Sequence, residues 1–292
     1  MLKKLFQDTA IYGIATVLPR VMTLLLTRLY VSKLDTNDFG IYSGIFVYLI
    51  LGNVLLSYGM ETAFFRFMNK GEQKKQVQST ALTSLTVSSL FFLLFAYLLR
   101  ESIASWLNYK VEHIVFGIYI MVLDALVVIP FAWLRNKGKA NFYAFVKVGN
   151  TALNLLLNIY FLNYLSQESI ATNGGVYYIF LANFIASLAT LIVLLPIYIK
   201  IRFRFYYSLW KEMMIYAFPV LLAEIAFAVN EGFDRVFLRM LLPEETADAT
   251  IGIYSACYKM GVFMNLFVSA FKLGVEPFFF SSAQDKSAPK TY

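Results

Sequence analysis

HIVFGIYIMVLDALVVIPFAWL, residues 113 to 134, is the stretch that decides the class of fold. One carboxylate, Asp124, stands near its centre, one imidazole, His113, opens it, and Lys110 and Arg135 flank it. The remaining positions are apolar, aromatic, glycine or proline. A helix needs about 20 such residues to cross the hydrocarbon core of a bilayer, where no water satisfies an open backbone. The stretch reads as a transmembrane helix.

Worked outward, the same rule marks eight spans, at 10–31, 40–60, 80–99, 113–134, 140–163, 175–199, 213–235 and 251–273. Composition agrees: of 292 residues, 59% are apolar and 15% charged, against about 25% charged in an ordinary soluble domain. Mean hydropathy is +0.64, so polar groups could not cover a soluble surface. The first run follows Lys3 and Lys4 as a signal peptide would, yet it carries Pro19 and Arg20 in its middle and lacks a small-residue cleavage pattern. It reads as a retained span. A lone cysteine, Cys257, excludes a disulfide framework and a cysteine zinc site. The only histidine, His113, sits at a span end and reads as an interfacial group. No metal, cofactor or catalytic residue is expected. Asp38-Phe39-Gly40 spells a kinase triplet without its companion loops, in a short turn before a span, and no Walker A sequence occurs.

The net charge of +7 is distributed by loop. Alternating the loops between two sides puts fifteen lysines and arginines together, from Lys3 and Lys4 through Arg66, Arg135 and Arg204 to Lys286 and Lys290. The opposite loops hold only Lys33, Arg100, Lys110 and Arg239, with the acidic run Glu244, Glu245 and Asp248. That is a positive-inside bias, which predicts a cytoplasmic N-terminus. It speaks against a nucleic-acid partner, whose basic patch would not follow the loops.

Two features organise the chain. Residues 200–212, KIRFRFYYSLWKE, form a basic-aromatic linker expected at the cytoplasmic interface, against membrane lipids. The second is an internal echo: Ile11-Tyr12 and Gly40-Ile41-Tyr42-Ser43 return as Ile215-Tyr216 and Gly252-Ile253-Tyr254-Ser255. Six spans separate the copies, an even offset, so the halves would share one orientation as a parallel repeat. Residues 1–199 are then one complete six-helix lobe, and 213–292 the first two helices of a second.

Polar positions within spans fall on helical faces, and a charge at the bilayer centre is costly unless it meets protein or water. Arg20, Thr23 and Thr27 share a face of the first span, and Lys147, Asn150, Asn154 and Asn158 share one of the fifth. Glu224 and Glu231 do so in the seventh, and Asn265 belongs to a stripe in the eighth. The basic, hydroxyl and amide residues are candidates to line a substrate cavity. Asp124, Glu224 and Glu231 are candidates to couple transport to a proton or sodium ion, or to pair with a buried arginine.

Five segments carry a resemblance: LPRVMTLLLTRLYVSKLDTNDFGIYS (18–43), YGMETAFFRF (58–67), FDRVFL (233–238), GIYSACYK (252–259) and FKLGVEPFFFS (271–281). They resemble bacterial polysaccharide-biosynthesis flippases of the O-antigen type, within the multidrug, oligosaccharidyl-lipid and polysaccharide exporter superfamily. The resemblance implies an all-α integral membrane protein, a MATE-like bundle of about eight transmembrane helices here, in the bacterial inner membrane. It implies transport of undecaprenyl-pyrophosphate-linked oligosaccharide by alternating access, with no enzymatic step. Family members usually have twelve to fourteen spans, so a truncated flippase fragment is one alternative. A cation-coupled multidrug antiporter of the same superfamily is another, and a membrane acyltransferase is disfavoured for want of histidines.

Overall fold

The computed structural model describes residues 2–70, 73–164, 174–201, 203–261 and 264. Within them the regular structure is all helical: α1 (Leu2–Lys33), α2 (Thr36–Ser57), α3 (Met60–Lys70), α4 (Lys74–Leu98), α5 (Arg100–Leu107), α6 (Val111–Asn136), α7 (Ala140–Tyr164), α8 (Gly175–Lys200) and α9 (Tyr207–Leu241). A further helix, α10, occupies residues 244–261. Seven spans among the described residues are long and apolar enough to cross a membrane. α10 opens the expected eighth span, the rest of which lies outside the described residues, as does Asn265.

Several elements differ from the sequence expectation for local reasons. The second span starts at Thr36, because the Asp35 carboxylate caps the helix by accepting the Asp38 N–H at 2.7 Å. Asp38-Phe39-Gly40 thus lies in the first turn of a helix. This span also breaks into α2 and α3 where Tyr58 and Gly59 both take left-handed backbone, with φ of 37° and 67°. Two such residues in succession cannot continue an α-helix. Gly59 has a second constraint, since a Cβ there would stand 2.6 Å from the Ala217 carbonyl oxygen of α9. The linker is shorter than 200–212, for α9 begins at Tyr207. Its extended part is tied to α4 through Ser79, which exchanges hydrogen bonds with the Arg204 backbone at 2.7 Å. His113, in the first turn of α6, is buried against the Phe180 ring.

α1 lies along α7, α6 contacts α2, α4 and α8, and α9 crosses α2 and α3. Lipid tails are as apolar as leucine, so close packing, not burial from water, holds such helices together. Two apolar clusters form. One, around Met60, Phe64, Leu82, Ile129, Leu194 and Met213, joins α3, α4, α6, α8 and α9. The other, around Tyr30, Phe39, Tyr42, Ile118, Ile179 and Phe180, joins α1, α2, α6 and α8. The first lies toward the end carrying Arg66, Arg135 and Arg204, called the basic end below. The second lies toward the end carrying Glu244, Glu245 and Asp248, the acidic end.

At the acidic end α10 crosses α2 on two glycines. A Cβ on Gly40 would lie 1.8 Å from the Asp248 carbonyl oxygen, and one on Gly252 would lie 2.0 Å from that of Thr36. Gly252 follows Gly40, and Asp248 follows Thr36, by the same 212 positions, so the crossing maps onto itself when the two helices are exchanged. The repeated Gly-Ile-Tyr-Ser segments therefore meet as a symmetric pair.

Candidate functional site: a polar cavity between two apolar clusters

Between the clusters lies a cavity of about 470 Å³ whose walls come from α2, α3, α6, α7, α8 and α9. Its centre is Asp124, on the face of α6 turned toward α2 and α8. Ser187 donates to one Asp124 oxygen at 2.8 Å, and Asn53 donates its amide to the other at 3.5 Å. Asn150 donates to the Thr190 hydroxyl at 2.9 Å, and that hydroxyl is in turn bonded to the Ala186 carbonyl. The Asn53 carbonyl oxygen is buried without a protein partner, an acceptor left for water or ligand.

Charges line the cavity unevenly. Lys147 makes no ion pair within 4.0 Å of a described carboxylate; its ammonium stands over the Phe131 ring at 5.3 Å, close enough for its charge to act on Asp124. Glu224 reaches the cavity from α9, within electrostatic range of Glu61 at the start of α3. Glu61 is paired with Arg135 at 2.8 Å. Arg135, in the last turn of α6, lies eleven residues beyond Asp124, about 16 Å along the helix, so the cavity extends from mid-bundle toward the basic end. The break at Tyr58–Gly59 opens onto it, and such a break leaves the last carbonyls of α2 without the helical partners they would otherwise have.

The structure thus brings together Asp124, Lys147, Asn150 and Glu224. Asn154 and Asn158, on the same helix, pair with each other instead: buried Asn158 donates to the Asn154 carbonyl and side-chain oxygens at 2.8 and 2.7 Å. Arg20 and Thr23 are exposed on α1 and Thr27 is half-buried, and none of the three lines this cavity. Thr23 and Thr27 donate to the Pro19 and Thr23 carbonyls at 2.9 Å. Glu231 is half-buried on α9, one turn before Arg235, which donates to its carbonyl at 3.1 Å. The sequence reading passed over Asn53, Asn183, Ser187 and Thr190, although the last three follow the i, i+4, i+7 spacing that singled out the other faces.

At the acidic end lies a second polar cluster. Arg239 on α9 donates to the Tyr109 hydroxyl at 2.8 Å and to the Asn108 carbonyl at 3.0 Å, both in the α5–α6 turn, and is paired with Asp248 of α10. Its guanidinium also stacks 3.9 Å from the centre of the Tyr109 ring. Burial raises the Tyr109 hydroxyl above its ordinary pKa, against the pull of Arg239, so it remains a phenol. Asn108 bonds the Glu244 carboxylate beside it.

This bundle of membrane-length helices, one of them broken, around a polar cavity has the fold of solved MATE-type transporters. A MATE in complex with Br-NRF superposes with TM-score 0.62 at 15% identity, over 88% of this chain and 65% of that one. The inward-facing conformation of a multidrug resistance MATE family transporter of the MOP superfamily gives 0.62 at 13% identity, over 86% and 61%. A MOP superfamily transporter from Pyrococcus furiosus, with a binding pocket of reversed polarity, gives 0.53 at 12%, over 96% and 72%. The chain thus spans less than two thirds of the length of the first two. A search of curated proteins gives no match. The model of the polysaccharide biosynthesis protein family matches residues 5–281, and the chain belongs to that family.

Proposed function

We propose that this chain acts in moving an undecaprenyl-pyrophosphate-linked oligosaccharide, such as an O-antigen or other polysaccharide repeat unit, from the cytoplasmic to the periplasmic leaflet of a bacterial inner membrane by alternating access. The observation that carries the reading is the cavity. It sets Lys147, which has no direct ion pair among the described residues, among amides and hydroxyls from Asn53, Asn150, Asn183 and Ser187. Amides offer donors and acceptors together, as sugar hydroxyls require, and an ammonium in a low-dielectric wall attracts a phosphate. The basic end, by the loop-charge bias, faces the cytoplasm, where such lipids would be loaded. Asp124, held by Ser187 and Asn53, and Glu224 are the groups proposed to carry a coupling proton or sodium ion.

A second reading rests on the charge count of the same walls: Glu61, Asp124 and Glu224 outnumber Arg135 and Lys147, which suits a cation-coupled antiporter of cationic compounds. Reconstitution separates the two. Proteoliposomes holding the chain and a fluorescent undecaprenyl-pyrophosphate oligosaccharide should exchange the lipid between leaflets faster than protein-free vesicles, and Lys147→Ala should slow that exchange. Gradient-driven uptake of a cationic dye, with no lipid exchange, would establish the antiporter instead.

A further inference from the structure

The two ends of the bundle differ: the cavity extends toward the basic end as far as Arg135, while at the acidic end Arg239, Asp248, Asn108 and Tyr109 bond the helices to one another. We propose that Arg239 is a latch, holding the acidic end shut while the cavity is open to the basic end, and that its release is what admits the cavity to the other side of the membrane. This goes beyond the transport reading and does not depend on which molecule is carried.

Arg239 is the point where three separate elements meet. It rises from the last turn of α9, takes its carboxylate from α10, and takes its neutral acceptors from the turn before α6. α9 and α10 belong to the segment after the linker, and the α5–α6 turn to the six-helix segment before it, so the contact joins the two parts that rocking would separate. Asn108 to Glu244 is a second tie across the same seam. The seam has no slack beneath it, for a Cβ on Gly44 of α2 would lie 2.2 Å from the Tyr109 hydroxyl oxygen. Each tie is polar and accessible to water on one side, which makes it reversible. Removing Arg239 would take away the ion-pair partner of Asp248.

By contrast, the neighbouring Arg235 is a structural tie within the later segment. Its partners Asp234 and Ser255, at 3.1 and 3.0 Å, lie on α9 and α10. It serves as the internal control.

The test uses the full chain with Cys257→Ser and a reporter, Val128→Cys, in the cavity wall. Everted and right-side-out vesicles are treated with a membrane-impermeant maleimide. In the otherwise unaltered protein the reporter should label from the basic-end face and little from the acidic-end face. Arg239→Ala and Asp248→Asn should each raise acidic-end labelling several-fold, and Asn108→Cys with Glu244→Cys, once oxidised, should return it to the starting level in the Arg239→Ala background. Arg235→Ala, whose contacts do not cross the seam, should leave it unchanged in protein recovered at normal abundance. Acidic-end labelling that is unaffected by Arg239→Ala, in protein that remains monodisperse in detergent, overturns the latch. Absence of lipid exchange with the labelling pattern intact overturns the proposed substrate and leaves the latch standing.

Discussion

Ser187 on α8 reaches across to Asp124 on α6 and donates to its carboxylate at 2.8 Å, joining two apolar helices at the depth where the bilayer offers no water. This bond separates the chemistry of Asp124 from its packing, because an amide at 124 could accept the same proton without carrying charge. Asp124→Asn is therefore expected to fold, and to lose most ion-coupled transport. Transport measured with and without an imposed proton or sodium gradient checks this: a variant that still responds to the gradient as the original does would remove Asp124 from coupling. Ser187→Ala should cost about 0.6–2 kcal/mol of stability, the usual worth of a hydrogen bond between membrane helices.

The α7 amides should divide by role. Asn150→Ala is expected to weaken substrate binding with little loss of stability, since Asn150 faces the cavity. Asn158→Ala should do the reverse, lowering the detergent melting temperature, because Asn158 is buried and bonded along its own helix. Equal effects on both measures at the two positions would contradict the division.

The glycine crossing predicts a steep size limit. Gly40→Ala or Gly252→Ala must displace a backbone carbonyl, at a cost of about 1–3 kcal/mol for overpacking. Gly149→Ala in α7, where a Cβ would meet nothing within 4 Å, should gain about 0.5–1 kcal/mol from the better helix former. Thermal unfolding of the three variants in one detergent gives the comparison.

Topology can be read directly. With Cys257 replaced, cysteines at Glu245 and Lys137 should label from opposite faces of the membrane, Glu245 from the periplasmic side. Labelling of both from one face would refute the alternation of spans on which the orientation rests.

Much of the fold was legible because the bilayer forces one answer: an apolar stretch such as 113–134 has to be a helix of nearly that length, and α6 runs from Val111 to Asn136. The break at Tyr58–Gly59 was not legible, since what packs against Gly59 is the Ala217 carbonyl of α9, 158 residues further along the chain, a contact that no local pattern announces. Of the site, helical spacing found Lys147 and Asn150 but grouped Asn154 and Asn158 with them, because periodicity fixes a face and not the depth at which a cavity ends. Glu224 and Glu231 shared one face by the same spacing, yet among the cavity-lining residues only Glu224 appears, beside Glu61. Asn53 stood alone in its span, and a single amide has no period to betray it.

The crossing of α2 and α10 has one more consequence. Where a side chain on Gly40 or Gly252 would collide with a carbonyl, the glycine presents a hydrogen, so each Cα–H points at an oxygen of the opposite helix. Such contacts are worth about 0.5–1 kcal/mol each, and parting them strands no amide proton in hydrocarbon. The helices can thus fit closely at the acidic end and still come apart cheaply, like a snap fastener whose halves hold by shape, leaving the strength of the closure to side chains around the rim.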